Sequence, residues 1–391
     1  MGPAGRAMRV LPAALLLSAC GVGAGGAQLT WVAKPSFNAG GQQPNPVQPQ
    51  PPNAGGSSST PRSSAAATAD PSIVATRLTT PDAIAVLPDN TALVGERTTG
   101  RIVRVQPLPG QPVQVVRTLA GVDGAADGGL LDLALSPSYA EDGLVFALIT
   151  TAADLRVVDF TLTGPVTAVF TGIPRGATGR LAFGEDGRLY IGTSDAGQPG
   201  LAGNPASLLG KVLRVTDVGT PARGNPAAGS PVFTRGHHAV AGLCLYPGTN
   251  QLLEVEPRGS DPTVEVNLLV GGDEYGWPAR TSSSQGPITT LPAGQTAPSG
   301  CAVLNSTLYV TSRDGQDLLA APLGAKGGTL SAGTFTAMLT HKYGRLNTVV
   351  AAADGALWLT TSNRDGHGKP VRDDERVLRI VPTSGAANTP V

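Results

Sequence analysis

The sequence predicts an all-β protein, a six-bladed β-propeller, and three observations carry that prediction. One pattern, an apolar-alternating strand, a tight turn and a second alternating strand, returns six times at intervals of roughly 50 to 60 residues, the spacing of a repeat architecture. Gly (52 residues) and Pro (34) punctuate the chain, while charged residues make up 14%, below the roughly 25% of average globular proteins, which favours strands and turns over helices. The apolar content of 41% is enough to build a core. Part of the bias is background, because only five of the 28 basic residues are Lys and Ala, Gly, Pro and Arg are abundant throughout, as a GC-rich genome produces.

The elements follow in chain order. Residues 1–20 read as a signal peptide: Arg6 and Arg9 form its positive region, Val10 to Leu17 its short apolar run, and Leu17-Ser18-Ala19-Cys20 resembles the bacterial lipobox. An apolar run of about ten residues is too short to span roughly 30 Å of hydrocarbon, so cleavage suits it better than permanent insertion. The resemblance implies a lipidated Cys20 as the mature N-terminus, and an extracytoplasmic protein anchored to the cell membrane by that lipid. An ordinary secretory signal with an incidental Cys is the alternative. Residues 21–69 are rich in Gly, Ala, Pro, Gln and Ser, with Pro44, Pro46, Pro49, Pro51 and Pro52 clustered in the middle. Such a segment cannot bury enough apolar surface to fold and reads as a disordered tether with a reach of roughly 40 Å. A glycosylated stalk around Ser57 to Ser64 stays open.

Residues 70–382 hold the repeat, and 383–391 read as a flexible tail. The six hairpins are Ile84 to Val94, Leu131 to Ile149, Leu181 to Ile191, Gly242 to Val255, Gly300 to Val310 and Val349 to Leu359. Their turns carry Asp-Gly, Asn or Pro-Gly, the strongest short-range hairpin signals. One small sheet cannot bury both faces alone, but six stacked radially bury them against each other. A two-sheet sandwich, the alternative, would need about half as many strands.

Lys plus Arg and Asp plus Glu are both 28, and no block of like charge occurs. Nucleic acid and acidic membrane surfaces are therefore not expected partners, and a monomer is expected. Cleavage and lipidation at Cys20 leave Cys244 and Cys301 as an even pair in an oxidising compartment. Both lie near the start of corresponding strands in consecutive blades, so a disulfide is expected. Two buried free thiols are the alternative.

The turns also carry a family likeness. Asp127-Gly128-Gly129-Leu130-Leu131-Asp132-Leu133-Ala134-Leu135-Ser136-Pro137 resembles the GGLLGLALHP segment of the soluble quinoprotein glucose and sorbosone dehydrogenases. Gly179-Arg180-Leu181-Ala182-Phe183 with Asp186-Gly187-Arg188-Leu189-Tyr190 is similar to their GRLAFGPDGKLY, and Ser207-Leu208-Leu209-Gly210-Lys211-Val212-Leu213-Arg214 to SLAGKILR. Glu265-Val266-Asn267, Tyr275-Gly276-Trp277-Pro278, Pro298-Ser299-Gly300 and Asp354-Gly355-Ala356-Leu357-Trp358 follow in the same order. Actinobacterial LppZ-type lipoproteins are similar at Thr91 to Arg97 and at Thr171 to Gly176.

This resemblance implies pyrroloquinoline quinone (PQQ) and calcium in the propeller mouth, with a histidine base taking a proton from the sugar hydroxyl as hydride leaves. The base should open an H-x-G-G-R-L motif, which here begins at Gly176. The cofactor-contact motif G-H-R-N-P-Q-G reads Gly236-His237-His238-Ala239-Val240-Ala241-Gly242, and Asp127 stands where the family carries Gln or Glu. Of the two Arg of G-R-x-R, Arg345 is kept and Asn347 replaces the other. His237, His238, Arg345 and Asp127 are thus the candidate cofactor contacts, the backbone of Gly259 and Ser260 the candidate calcium ligands, and His238 a candidate displaced base. A purely structural His237, pinned between blades, is the alternative for that residue.

Other chemistries have less support. The four His, at 237, 238, 341 and 367, lack zinc-ligand spacing. Asn363-Arg364-Asp365-Gly366 has part of a calcium-loop pattern but reads as a hairpin turn. No G-x-S-x-G supports Ser-His-Asp catalysis, and no side-chain set for a calcium lactonase can be assigned. The expected function is that of a lipoprotein resembling aldose dehydrogenases with the base and several cofactor contacts not retained, so activity is not expected. The alternative is a non-catalytic propeller binding a sugar, another envelope ligand or a protein partner.

Overall fold

Each of the six turn signals closes an antiparallel hairpin in the structure, a computed structural model that describes residues 70–326 and 329–382. At three of these tips Asn90, Asn250 and Asn305 take positive φ, a conformation Asn tolerates better than most side chains. The signal peptide with Cys20, the tether and the tail lie outside the described residues.

Every hairpin extends into a sheet of four or more strands, and there are six sheets. Blade 1 comprises Pro81–Val86, Ala92–Glu96, Arg101–Val105 and Gln114–Thr118, and blade 2 Leu130–Leu135, Val145–Thr150, Leu155–Phe160 and Val166–Ile173. Blade 3 comprises Gly179–Phe183, Leu189–Thr193, Lys211–Val215 and Val232–Arg235, and blade 4 Gly242–Tyr246, Gln251–Arg258, Asp261–Leu268 and Thr289–Thr290. Blade 5 is built on Pro298–Leu304, Thr307–Ser312 and Asp317–Lys326, whose outer edge pairs with both Thr329–Ala332 and Thr336–Met338. In blade 6, Leu346–Ala351, Leu357–Thr361 and Val377–Ile380 are completed by Ile73–Ala75 from the start of the domain. That closing strand had no signal in the repeat, because it is three residues long and has no hairpin partner next to it in sequence.

The first strands of successive blades pack side by side in a closed ring around a central channel. Between blades lie separate apolar clusters, such as Leu93, Ile102, Leu130 and Phe160 between blades 1 and 2, or Leu346, Leu357, Leu359 and Tyr309 between blades 5 and 6. Period-2 alternation makes this possible, since each strand sends its side chains alternately to the two seams of its blade. Cys244 and Cys301, on the first strands of blades 4 and 5, form the expected disulfide with their Cα atoms 5.7 Å apart.

Candidate functional site

The first strands open at one end of the channel into a cavity of about 640 Å³, the mouth. Its floor is Arg180, on the first strand of blade 3. Its Nη1 donates to Leu131 O (2.7 Å), its Nε to Ala241 O (3.0 Å) and its Nη2 to Ser299 O (2.7 Å), with the Asp82 carboxylate at 3.4 Å. Asn347 of blade 6 donates to the same Asp82 at 2.8 Å. One guanidinium and its acid therefore tie all six blades together at the axis, and the fork of fixed donors suits Arg to the task. Below this belt lies a second, apolar cavity of about 380 Å³, walled by residues such as Leu133, Leu181, Leu243 and Val303. Asp132 sits at its edge, and burial pushes its carboxyl up to about 6 despite Arg180 and two backbone donors.

Three more arginines reach the mouth. Arg345 is held by Asp314 and Asp365, each at 2.8 Å. Arg97 donates to the carbonyls of Ala126 (2.9 Å) and Gly128 (3.0 Å). Gly129 is required beside it, since its φ is +127° and a Cβ there would lie 2.1 Å from Arg97 O. Arg313 differs from both. Among the described residues its guanidinium has no carboxylate partner, and its Nε is shielded from water without an acceptor. Burial, with Arg180 and Arg345 nearby, holds its pKa below the usual arginine value, Asp82 and Asp365 opposing.

The mouth thus contains Asp127 and Arg345, two of the residues singled out in the sequence. His237 is not among its lining residues. It is fully buried in the seam of blades 3 and 4, with Nε2 2.8 Å from Thr234 Oγ1, Nδ1 3.3 Å from Glu256 and its ring stacked on Tyr275, which corrects its assignment as a cofactor contact in favour of the structural alternative. Asn363 to Gly366 is not a hairpin turn but part of the long connection between the second and third strands of blade 6. There Asn363 accepts from Arg345 N and donates to Tyr343 O, and Asp365 binds Arg345. His367 from the same connection lines the mouth, whereas His341 does not. The sequence reading missed Arg97, Arg180 and Arg313. Arg97 and Arg313 had one available signal, as each directly follows the second strand of its blade.

The family model described as glucose / sorbosone dehydrogenase matches residues 78–372. The chain belongs to that family. A PQQ-bound aldose sugar dehydrogenase of Streptomyces coelicolor is similar in structure, with 38% identity and a TM-score of 0.73, covering 78% of this chain and 95% of that one. Among curated proteins, quinoprotein glucose dehydrogenase B of Acinetobacter calcoaceticus is 29% identical over 254 residues, 54% of this chain and 52% of its own. The aldose sugar dehydrogenase YliI of Escherichia coli is 28% identical over 249 residues, 56% and 64%. The chain spans about half to two thirds of the length of these curated relatives.

Against the family pattern, Gly176 is exposed, and the nearest atom to a Cβ built there is Ala196 Cβ at 3.9 Å. His238 was expected to face the mouth as a cofactor contact and displaced base. Its ring instead packs against Trp277, and its Nδ1 lies 3.1 Å from Asp195, on the rim outside the cavity lining. Gly259 and Ser260 form the turn between the second and third strands of blade 4, also outside that lining. Arg258 beside them donates to Gly276 O at 3.0 Å, and both it and Arg280 (3.7 and 2.7 Å) sit on the buried Glu265 carboxylate. Calcium needs six to eight oxygens, and the buried Glu265 carboxylate beside this turn already serves two guanidinium groups. The residues present do not fit calcium there. PQQ is a different case, since the orphaned Arg313 fits one of its carboxylates.

Proposed function

We propose that this protein is a lipid-anchored, extracytoplasmic propeller that binds PQQ in its mouth and does not oxidise glucose by the route of its family. Arg313 carries the binding half of the proposal. A shielded Nε without an acceptor is costly, and a ligand carboxylate would satisfy it with a charge-assisted contact. Arg97 of blade 1 adds a second cation to the mouth, and Arg345 is held in place by two acids. PQQ, when bound, supplies a quinone able to accept hydride from an alcohol carbon. What the chain lacks is a proton acceptor at position 176, and losing general-base catalysis costs about a hundredfold to ten-thousandfold. The lipobox, the tether and a disulfide that requires an oxidising compartment support the location.

Equilibrium titration of the domain with PQQ tests the binding. Wild type should saturate with one equivalent, and Arg313→Ala should weaken the affinity by about tenfold or more, as loss of a charged hydrogen-bonded contact implies. Glucose-dependent dye reduction should stay negligible with PQQ supplied. Rapid glucose turnover, or unchanged affinity in Arg313→Ala, would overturn the reading. Membrane fractionation of Cys20→Ala, expected to release the protein or leave it unprocessed, tests the anchor.

A further inference from the structure

Deep in the seam between blades 3 and 4, two carboxylates are buried with no arginine or lysine among the described residues to offset them. Glu254 and Glu256 lie two apart on the second strand of blade 4, so they share a face, and that face meets His237 on the connection arriving from blade 3. Each of the three side chains is at most 1% exposed. Nδ1 of His237 lies 3.3 Å from Glu256 Oε1 and 3.9 Å from Glu254 Oε2, and one ligand atom from each residue falls within 4.8 Å of the other two. Among the described residues this imidazole is the one basic partner of either acid. Histidine spacing could not reveal the cluster, since only one of its members is a histidine.

The surroundings leave acceptors over. Glu256 Oε2 accepts from His238 N at 2.7 Å, and Glu254 Oε2 accepts from Asn267 Nδ2 at 2.8 Å, but Glu254 Oε1 is shielded from water and accepts nothing. Asn267, opposite Glu254 in the register and fully buried, repeats the pattern: its Nδ2 reaches both carboxylates, while its Oδ1 has no donor. The nearby Glu265 adds a third acid, and the two arginines beside it are engaged on its own carboxylate. Buried charges of this kind are paired or coordinate a metal.

The imidazole is set for the second. Its Nε2 is 2.8 Å from Thr234 Oγ1, which can accept the Nε2–H and leave the Nδ1 lone pair facing the two carboxylates, as the outer partner of a metal-bound histidine does. Lone pairs that face one another repel unless a cation lies between them. Four ligands at the roughly 2.0–2.2 Å of zinc bonds to nitrogen and carboxylate oxygen stand about 3.3 Å apart. That is the separation of Nδ1 from Glu256 Oε1, 3.3 Å, and the spare oxygen of Glu254 supplies a fourth ligand atom.

We propose that His237, Glu254 and Glu256 form a structural site for a divalent metal ion of the zinc class, which clips the connection leaving blade 3 to the second strand of blade 4. One imidazole with two carboxylates and no sulfur suits such an ion, and a cage filled by protein atoms leaves no position for a substrate. Being enclosed, the site takes its ion as the domain folds. The clip holds the backbone immediately before Ala239, Val240 and Ala241, which line the mouth, and it lies on the seam that the disulfide does not reach.

The test refolds the mature protein from urea, disulfide intact, with zinc or with a chelator. After gel filtration the zinc-refolded wild type should retain one equivalent by elemental analysis, with nitrogen and oxygen but no sulfur in its X-ray absorption shell. Its thermal midpoint should lie about 5 °C or more above that of the chelator-refolded protein. Glu254→Gln should unfold within about 3 °C of wild type in chelator, gain nothing from zinc, and bind it about a hundredfold or more weakly, since a lost ligand costs at least as much as a lost outer partner. Thr234→Val, which removes the acceptor of Nε2–H, should weaken zinc about tenfold. His238→Ala removes the exposed neighbouring imidazole and should keep the full equivalent. Wild type that retains no zinc would overturn the proposal and show that a proton serves the two acids instead. Zinc retained equally by Glu254→Gln, or lost in His238→Ala, would place the ion elsewhere and overturn it as well.

Discussion

Blade 4 has two seams that differ in their polar content. Toward blade 5 it presents Leu253, Val255, Val264 and Val266, packed on Val303, Leu308 and Val310 and closed by the Cys244–Cys301 disulfide. Toward blade 3 it presents Glu254 and Glu256 opposite Asn267 and Glu265, with His237 wedged among them. The same two strands make both seams, since cross-strand partners share a face and neighbours in sequence alternate. The apolar seam needs only volume, whereas the polar one needs every donor aimed, and the rim is attached to the aimed one. Glu256 holds both His237 and the backbone of His238, and Tyr275, two residues before Trp277, stacks on His237. The seam toward blade 5 supplies cohesion alone, whereas the one toward blade 3 adds this polar set to an apolar cluster of its own, with Tyr190 and Val212 against Leu243 and Leu252.

That division can be broken from either side. The largest expected loss comes from the apolar seam. Cys244→Ser with Cys301→Ser opens a loop of 57 residues, which in the loop-entropy model removes about 4 kcal/mol, read by urea unfolding. PQQ binding in the mouth should be unchanged in the folded fraction. Glu256→Ala should cost about 3 kcal/mol by leaving the buried donors of His237 and His238 without an acceptor. Unlike the disulfide variant, it should also disturb the His238 imidazole spectrum. A silent spectrum would show that the polar seam does not orient the rim.

Buried acids should also make stability depend on pH, which the apolar seam cannot do. Glu254 is pushed up well above the ordinary glutamate range by burial and by Glu256, and Asp132 at the axis is pushed up to about 6 by burial. A raised acid holds its proton in the folded state after the unfolded chain has released it. Its penalty is therefore absent below the unfolded value of 3.8, grows as pH rises, and is complete above about 6. The difference is about two pKa units, so the stability of wild type relative to Asp132→Asn should fall by about 2 to 3 kcal/mol between pH 4 and pH 7. The smallest effect belongs to Glu254→Gln. Burial and Glu256 disfavour the charged form of this carboxyl, so the neutral isostere should change stability by under about 1 kcal/mol. A loss of several kcal/mol would show that Glu254 is ionised.

The repeat was legible because hairpins are local: turn residues and period-2 alternation within about twenty residues determine each one. The disulfide was legible through the repeat itself, as equivalent positions in consecutive blades become neighbours. His237 and His238 were readable as a motif but not as places, because the backbone between Arg235 and Gly242 leaves the sheet and no period applies to it. Arg97 and Arg313 were visible only as charges after strands. Their isolation or pairing depends on which acids other blades bring near.

By itself the sequence determined the number of blades, the hairpin of each, the disulfide partners and the absence of a side chain at 176, since all are written in residues close to one another or in matching repeat positions. Only the tertiary structure decided that Ile73–Ala75 closes the ring, that Arg180 belts the axis, that Arg313 is left without an acid, and that His238 turns to Asp195. Those outcomes join residues as far apart as Ile73 and Leu378, near the two ends of the domain. Hydrogen bonds and ion pairs act over a few ångströms, so they are decided only after the apolar seams have closed the ring and brought such residues into reach.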